Sequence, residues 1–365
     1  MTHCNTTMAA ATKRALATLG LGLGLLLGGG SATAAQEAVD LDAGQYHTCM
    51  VTSCGDVRCF GRNDWHQSDD HLRSRGVVLA SAFQAAFEEV TVGTVHTCAR
   101  DVTGKVRCWG QGTRGQLGVP AGVTFTQIDA GDTATCGLDA AGHPHCWGSG
   151  GVMFGVPTTE RFLSLSVGRG HACGIVEGAE EIRCWGDNGY GQARIGEGVG
   201  LFYPGTSERF SEVTAGNYHS CAVSNGGRAY CWGWDGYGAV TFGGRFQDLD
   251  GDGVFTYLPQ FQSQVSAGLW GTCEHYHPNT SGSSTWGDRT YCWGWPFERA
   301  GFPAPATDLT QQIAVGSSFA CAIDDAGQVV CWGSGYQGSA TPPTLAAECP
   351  FTPYVLDPPR FGFGG

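Results

Sequence analysis

Short apolar runs broken by glycine, with no long stretch of helical periodicity, set the pattern of this 365-residue chain. The clearest stretch is Val95 to Gly110, which reads as a strand, a tight turn from Asp101 to Gly104, and a second strand. Aspartate can bond its own backbone and glycine accepts positive φ, so both suit the reversal. A cysteine sits near the middle of each strand. Cys98 and Cys108 therefore lie opposite each other, at a spacing a disulfide spans.

The unit recurs seven times, led by Gly44, Gly93, Gly131, Gly168, Gly216, Gly268 and Gly316. An apolar residue stands three positions before each: Leu41, Val90, Ile128, Leu165, Val213, Val265 and Ile313. The first cysteines are Cys49, Cys98, Cys136, Cys173, Cys221, Cys273 and Cys321. The second are Cys59, Cys108, Cys146, Cys184, Cys231, Cys292 and Cys331, six of them followed by Trp-Gly and the first by Phe60-Gly61. Successive glycines are 37 to 52 residues apart, the period of a four-stranded propeller blade.

The motif Ala-Gly-x-x-His-Thr/Ser-Cys-Ala, then Gly-x-Val-x-Cys-Trp-Gly, resembles the repeat of the regulator of chromosome condensation family. The fit is best to its bacterial, cysteine-containing members. Matches run from about Val39 to Gly338. The resemblance implies an all-β, seven-bladed propeller with one disulfide-stapled hairpin per blade. Fold alone does not fix function, because propellers carry unrelated activities.

The N-terminus reads as a cleaved leader over residues 1–35, ahead of a propeller at 36–345 and a tail at 346–365. Lys13 and Arg14 precede an uncharged Leu/Ala/Gly run and small-residue cleavage sites around Ala34 and Ala35. That run is short and glycine-rich for a membrane span. Removing the leader shifts the formal net charge from −13 to −15 and the cysteine count from 17 to 16. An even count suits a disulfide framework outside the cytosol. Cys54 and Cys349 are left over. A bridge between them would staple the first blade to the tail; the other reading is two free or intermolecular thiols. No Cys-x-x-Cys exists, which argues against structural zinc.

Charged residues are only 15% of the chain and lysine is confined to Lys13 and Lys105. With no basic patch to neutralise phosphates, direct nucleic-acid binding is not expected. Ala80 to Glu89 is the one stretch that suggests a short helix.

Several positions could carry chemistry. His47, His96, His171 and His219 share one repeat slot, filled elsewhere by Ala134, Gly271 and Phe319, which fits packing better than metal ligation. Asp248, Asp250 and Asp252 before Gly253 match the first half of a calcium loop, although Pro259 stands where a bidentate glutamate belongs. Ca²⁺ is the only cofactor suggested, and none is required. Glu274, His275 and His277 lie in the long hairpin of blade six and read as exposed side chains. Asp64, Asp187 and Asp235 follow the Trp/Phe-Gly motif at similar offsets and read as turn residues before acid–base groups.

The loops after that motif also hold Trp65, Tyr190, Trp234, Tyr237, Trp295, Phe297 and Tyr336. In a regular ring these emerge on one face, and interfaces concentrate such aromatics. Tyr46, Tyr218 and Trp270 fall just before the histidine slot and would join that rim.

The expected protein is a monomeric, non-catalytic propeller. It would be secreted, periplasmic or on the cell surface, and would grip a protein partner through these aromatics, as an inhibitor or adhesin does. Two alternatives stay open. One is a small-GTPase exchange role, which the resemblance suggests and export disfavours; the other is a propeller enzyme acting on polysaccharide.

Overall fold

The computed structural model describes residues 36–69, 86–193, 209–240, 254–256, 262–277, 289–295, 297, 309–334 and 338–345. The leader, the candidate calcium loop, Cys349 and Tyr336 lie outside them.

Seven antiparallel sheets follow one another in chain order. Blade one is Ala38–Ala43, His47–Thr52 and Val57–Gly61. Blade two is Phe87–Val92, His96–Asp101 and Val106–Gly110, and blade three is Phe125–Ala130, Ala134–Asp139 and Pro144–Gly148. Blade four is Phe162–Val167, His171–Val176 and Ile182–Gly186. Blade five is Phe210–Ala215, His219–Ser224 and Ala229–Gly233, with Val254–Thr256 added on its outer edge. Blade six is Gln262–Ala267, Gly271–His277 and Arg289–Gly294, and blade seven is Leu309–Val315, Phe319–Asp324 and Val329–Gly333.

Two expectations change. The period suggested four strands per blade, but only blade five shows a fourth among the described residues. The residues between 111 and 124, and between 149 and 161, contain turns and one 3₁₀ turn, Gly151–Met153, in its place. The suggested helix from Ala80 to Glu89 also fails at its described end, where Phe87–Glu89 belong to the first strand of blade two. Glu89 there is buried against Arg100, 2.7 Å away, and so serves a sheet contact.

In each blade the two cysteines are directly opposed partners of the middle and outer strands, with Cα atoms 4.0–4.1 Å apart. Cys54 is disulfide-bonded as well, to a partner outside the described residues.

The inner strands, which line the axis, do not extend one another's sheets, so their edge amides need other acceptors. Polar side chains of the preceding blade supply them. Asp42 accepts from Val92 N at 2.7 Å, Asp129 from Val167 N at 2.7 Å, and Ser166 from Ala215 N at 3.0 Å. The ring closes when Gln312 of blade seven accepts from Leu41 N of blade one at 3.0 Å. Apolar residues fill the gaps between neighbouring blades. Leu41 and Met50 of blade one pack with Phe319 and Ile323 of blade seven, in the same way that Ile175 and Ile182 pack with Phe210 and Tyr230.

The repeat glycines line a narrow axial cavity of about 110 Å³. A Cβ on any one of them would run into the carbonyl oxygen of the next, from Gly44 against Gly93 round to Gly316 against Gly44. Gly131→Ala is therefore expected to destabilise the ring by about 3 kcal/mol through overpacking. Gly189→Ala, where nothing lies within 4 Å, is expected to be near neutral. Comparing denaturation midpoints of the two variants checks this.

Candidate functional site

The loops after the Trp/Phe-Gly motif share one construction. The glycine of the motif takes φ values of 83° to 109°, a left-handed region closed to most side chains. Six residues after the Trp or Phe, a second positive-φ residue turns the chain back: His66, Gly115, Gly191, Gly238 or Gly338. The residue just before that turn is pushed outward. Those residues include Trp65, 47% exposed, Tyr190, 55%, and Tyr237, 48%.

The turn is held from below by a side chain that the sequence did not single out. Gln67, Gln116 and Gln192 are buried, and each side-chain oxygen accepts from the residue two before it: Trp65 N, Arg114 N and Tyr190 N, all at 2.8 Å. Their backbone carbonyls take the indole N–H of the next blade's tryptophan: Trp109 on Gln67, Trp147 on Gln116 and Trp232 on Gln192. The readable signal was a glutamine seven positions after the Trp or Phe in three repeats. Each of these three surface loops is thus fastened to its neighbouring blade.

The repeat histidine completes this fastening. His47 Nε2 meets Thr97 Oγ1 at 2.8 Å, His96 meets Thr135 at 2.9 Å, His171 meets Ser220 at 2.7 Å, and His219 meets Thr272 at 2.8 Å. Thr97, Ser220 and Thr272 spend their own hydrogen on the carbonyls of Gln67, Gln192 and Ala239. In these three pairs the imidazole Nε2–H must therefore be the donor. All four rings are wholly buried. Burial holds His47 and His171 at a pKa of about 3, and His96 and His219 at about 4. They are neutral inter-blade clasps, in keeping with the packing role expected of the slot.

Phe297 requires a correction. It is 5% exposed, and its ring lies over Gly271, where blade six lacks the histidine. Phe297 fills that gap as core and presents nothing to a partner. Phe319 fills the same slot in blade seven, against Gly316.

The remaining aromatics converge on blades four to six. Trp234 is half-buried at the centre, with ring centroids 6.1 Å from Tyr190, 5.8 Å from Tyr218, 5.1 Å from Tyr237 and 5.5 Å from Trp270. Tyr237 reaches Trp295 at 6.2 Å, and Trp295 is 41% exposed. Most contacts are edge-to-face or tilted, the arrangements that aromatic quadrupoles favour. Tyr218 and Trp270, expected on the same rim, are part of this cluster. Tyr46 sits apart under Arg62, and Trp65 stands on blade one outside the ring network. Two exposed apolar residues of the blade-three loop were missed: Met153, 37% exposed, and Phe154, 73%. That loop lacks the glutamine construction, so the repeat pattern gave no signal for it.

Two of the acidic candidates serve their own loops. Asp64 pairs with Arg62 at 2.6 Å, and Asp235 accepts from Val240 N at 2.7 Å. Asp187 lies against Gly151 and Gly170, where a Cβ would collide with its carboxylate. In blade six Glu274 and His275 are buried rather than exposed, and His275 Nδ1 meets Thr290 Oγ1 at 2.9 Å. Asp248, Asp250, Asp252 and Tyr336 fall outside the described residues.

Beside the aromatic cluster an open groove of about 810 Å³ crosses blades two to five. Its walls carry Arg114, Asp132, Arg169, Asp187, Asn188 and Asn217, and it ends at Tyr190 and Tyr218. Arg169 stacks on Tyr218, 5.2 Å from the ring centroid, and pairs with Asp132 at 3.5 Å.

Comparison with known proteins agrees with this architecture. A model of the "Regulator of chromosome condensation (RCC1) repeat" matches residues 38–67, 87–116, 162–192, 210–239 and 311–339. These are blades one, two, four, five and seven. No curated protein matches in sequence. Among solved structures, the CRINKLY ectodomain of the Arabidopsis thaliana receptor kinase ACR4 is similar at a TM-score of 0.59 and 21% identity, covering 86% of this chain and 99% of that one. The ectodomain of the Physcomitrella patens receptor kinase CR4 is similar at 0.56 and 24%, covering 83% and 74%. Yeast RCC1 (Prp20), crystallised with Kap60, is similar at 0.56 and 16%, covering 80% and 79%. Identities this low carry the fold alone. The chain is a seven-bladed propeller in which five blades match the regulator of chromosome condensation repeat.

Proposed function

We propose that this propeller is an exported, non-catalytic protein-binding module that grips its partner with the aromatic cluster of blades four to six. The observation that carries the reading is the continuous set of six rings from Tyr190 to Trp295, with Tyr190, Tyr237 and Trp295 about half exposed. Large rigid rings bury area at low entropic cost, which is why interfaces concentrate them. The cluster is also pre-organised, because Trp234 packs at its centre and buried Gln192 holds Tyr190 in place before any partner arrives. Export is supported by seven hairpin disulfides, which form and persist in oxidising compartments and are rare in the cytosol. Among the described residues no helix is long and apolar enough to cross a membrane. A net charge of −13 favours a basic partner and fast encounter.

The test is capture from the extracellular protein fraction of the source cells by immobilised wild type and by a Tyr190→Ser, Tyr237→Ser, Trp295→Ser variant. The wild type should retain a protein that the variant binds about a hundredfold more weakly, as loss of hot-spot residues predicts. The variant's denaturation midpoint should stay within a few degrees, because these rings lie at the cluster's exposed edge. Equal retention by both, or no retained protein at all, sinks the proposal.

A further inference from the structure

We propose that the groove across blades two to five binds an uncharged oligosaccharide, at a site that meets the aromatic cluster at Tyr190 and Tyr218 and otherwise lies outside it. The composition of its walls narrows the ligand class. The lining divides about evenly between polar and apolar surface, which suits an amphipathic ligand better than a wholly apolar one. Arg114 and Arg169 are matched by Asp132 and Asp187, so neither an anion nor a cation finds a one-sign field there. What remains is a neutral ligand rich in hydroxyl groups, each able to donate to a carboxylate and accept from a guanidinium or amide.

The groups needed for such a ligand are in place. Asp187 rests its two carboxylate oxygens against the bare backbones of Gly151 and Gly170. It carries no ion pair or hydrogen bond from that carboxylate among the described residues, so both oxygens remain open to hydroxyl donors. Beside it Asn188 spends its side-chain oxygen on Ala193 N at 3.0 Å, which fixes the amide and leaves its NH₂ as a donor. Arg114 forms no ion pair among the described residues. At the blade-five end Tyr190 meets Tyr218 edge to face, 5.3 Å apart, and its exposed ring offers an aromatic surface to the C–H face of a sugar ring. The volume of about 810 Å³ falls within the range of small-ligand sites and exceeds the needs of one sugar.

The experiment is calorimetric titration of the purified protein with four neutral probes: maltohexaose, cellohexaose, xylohexaose and chitohexaose. At least one should bind saturably at micromolar to millimolar concentration. Asp187→Ala should weaken that binding by about ten- to a hundredfold, the effect of losing a charged hydrogen-bond acceptor. Tyr237→Ser, outside the groove, should leave it unchanged. No heat with any of the four probes overturns the assignment, and so does an unchanged affinity in Asp187→Ala. Because no protein partner enters this titration, failure here leaves the aromatic-cluster reading standing.

Discussion

Reduction with excess dithiothreitol is expected to unfold this propeller at ambient temperature, whereas the oxidised protein should resist several molar urea. Seven bridges each close a short hairpin, six with a sequence separation of 10 or 11 and one of 19. Chain-entropy arguments give roughly 3 kcal/mol for each such loop. Even at half that value the sum exceeds roughly 10 kcal/mol, comparable to the whole net stability of a typical domain. The sulfurs also fill the gaps between blades: Cys49, Cys98, Cys136, Cys173, Cys221, Cys273 and Cys321 are wholly buried. Reduction therefore removes cross-links without opening cavities, and the loss belongs to the unfolded state. Urea titrations with and without reductant, followed by tryptophan fluorescence, make the comparison. A reduced protein with an unshifted midpoint would show that packing and clasps alone hold the ring, and would remove the main support for export.

The ring was legible because its repeat writes the same physical need seven times. The axial glycines are required where backbones meet, the opposed cysteines where two strands face each other, and Trp-Gly where the chain turns with positive φ. The loop face was legible only in part. Tyr190, Tyr237 and Trp295 could be placed because they follow the repeat at fixed offsets. Phe297 could not, because its burial depends on a cavity created by Gly271, 26 residues earlier in the sequence. Phe154 was missed for the opposite reason, since its loop has left the repeat pattern. Gln67, Gln116 and Gln192 recur too, but a polar residue in a loop gives no sign that its side chain is buried beneath it. The groove is still harder to read, because four blades contribute to it and no one of them contains its chemistry.

Acid should destabilise the propeller well above the carboxylate range, and the four clasps are the reason. A histidine in the unfolded chain titrates near 6.5, while burial holds these four at about 3 or 4. Below pH 6.5 the unfolded state takes up protons that the folded state refuses, so stability falls with pH until the folded pKa is reached. The cost is about 1.4 kcal/mol per pH unit for each histidine, or about 8 kcal/mol for four by pH 5. Structure supplies the cause as well as the sign. A second proton would sit on Nδ1, which in His47, His96 and His171 is buried without a partner. Phenylalanine already occupies this slot in blade seven and does not titrate, so His96→Phe with His171→Phe tests the assignment without inventing a new packing arrangement. Between pH 6.5 and 5, where aspartates remain ionised, the double variant should show about half the wild-type slope of unfolding free energy against pH. Urea titrations at four or five pH values in that window measure it. An unchanged slope would move the acid sensitivity to other groups and leave the clasps as ordinary packing.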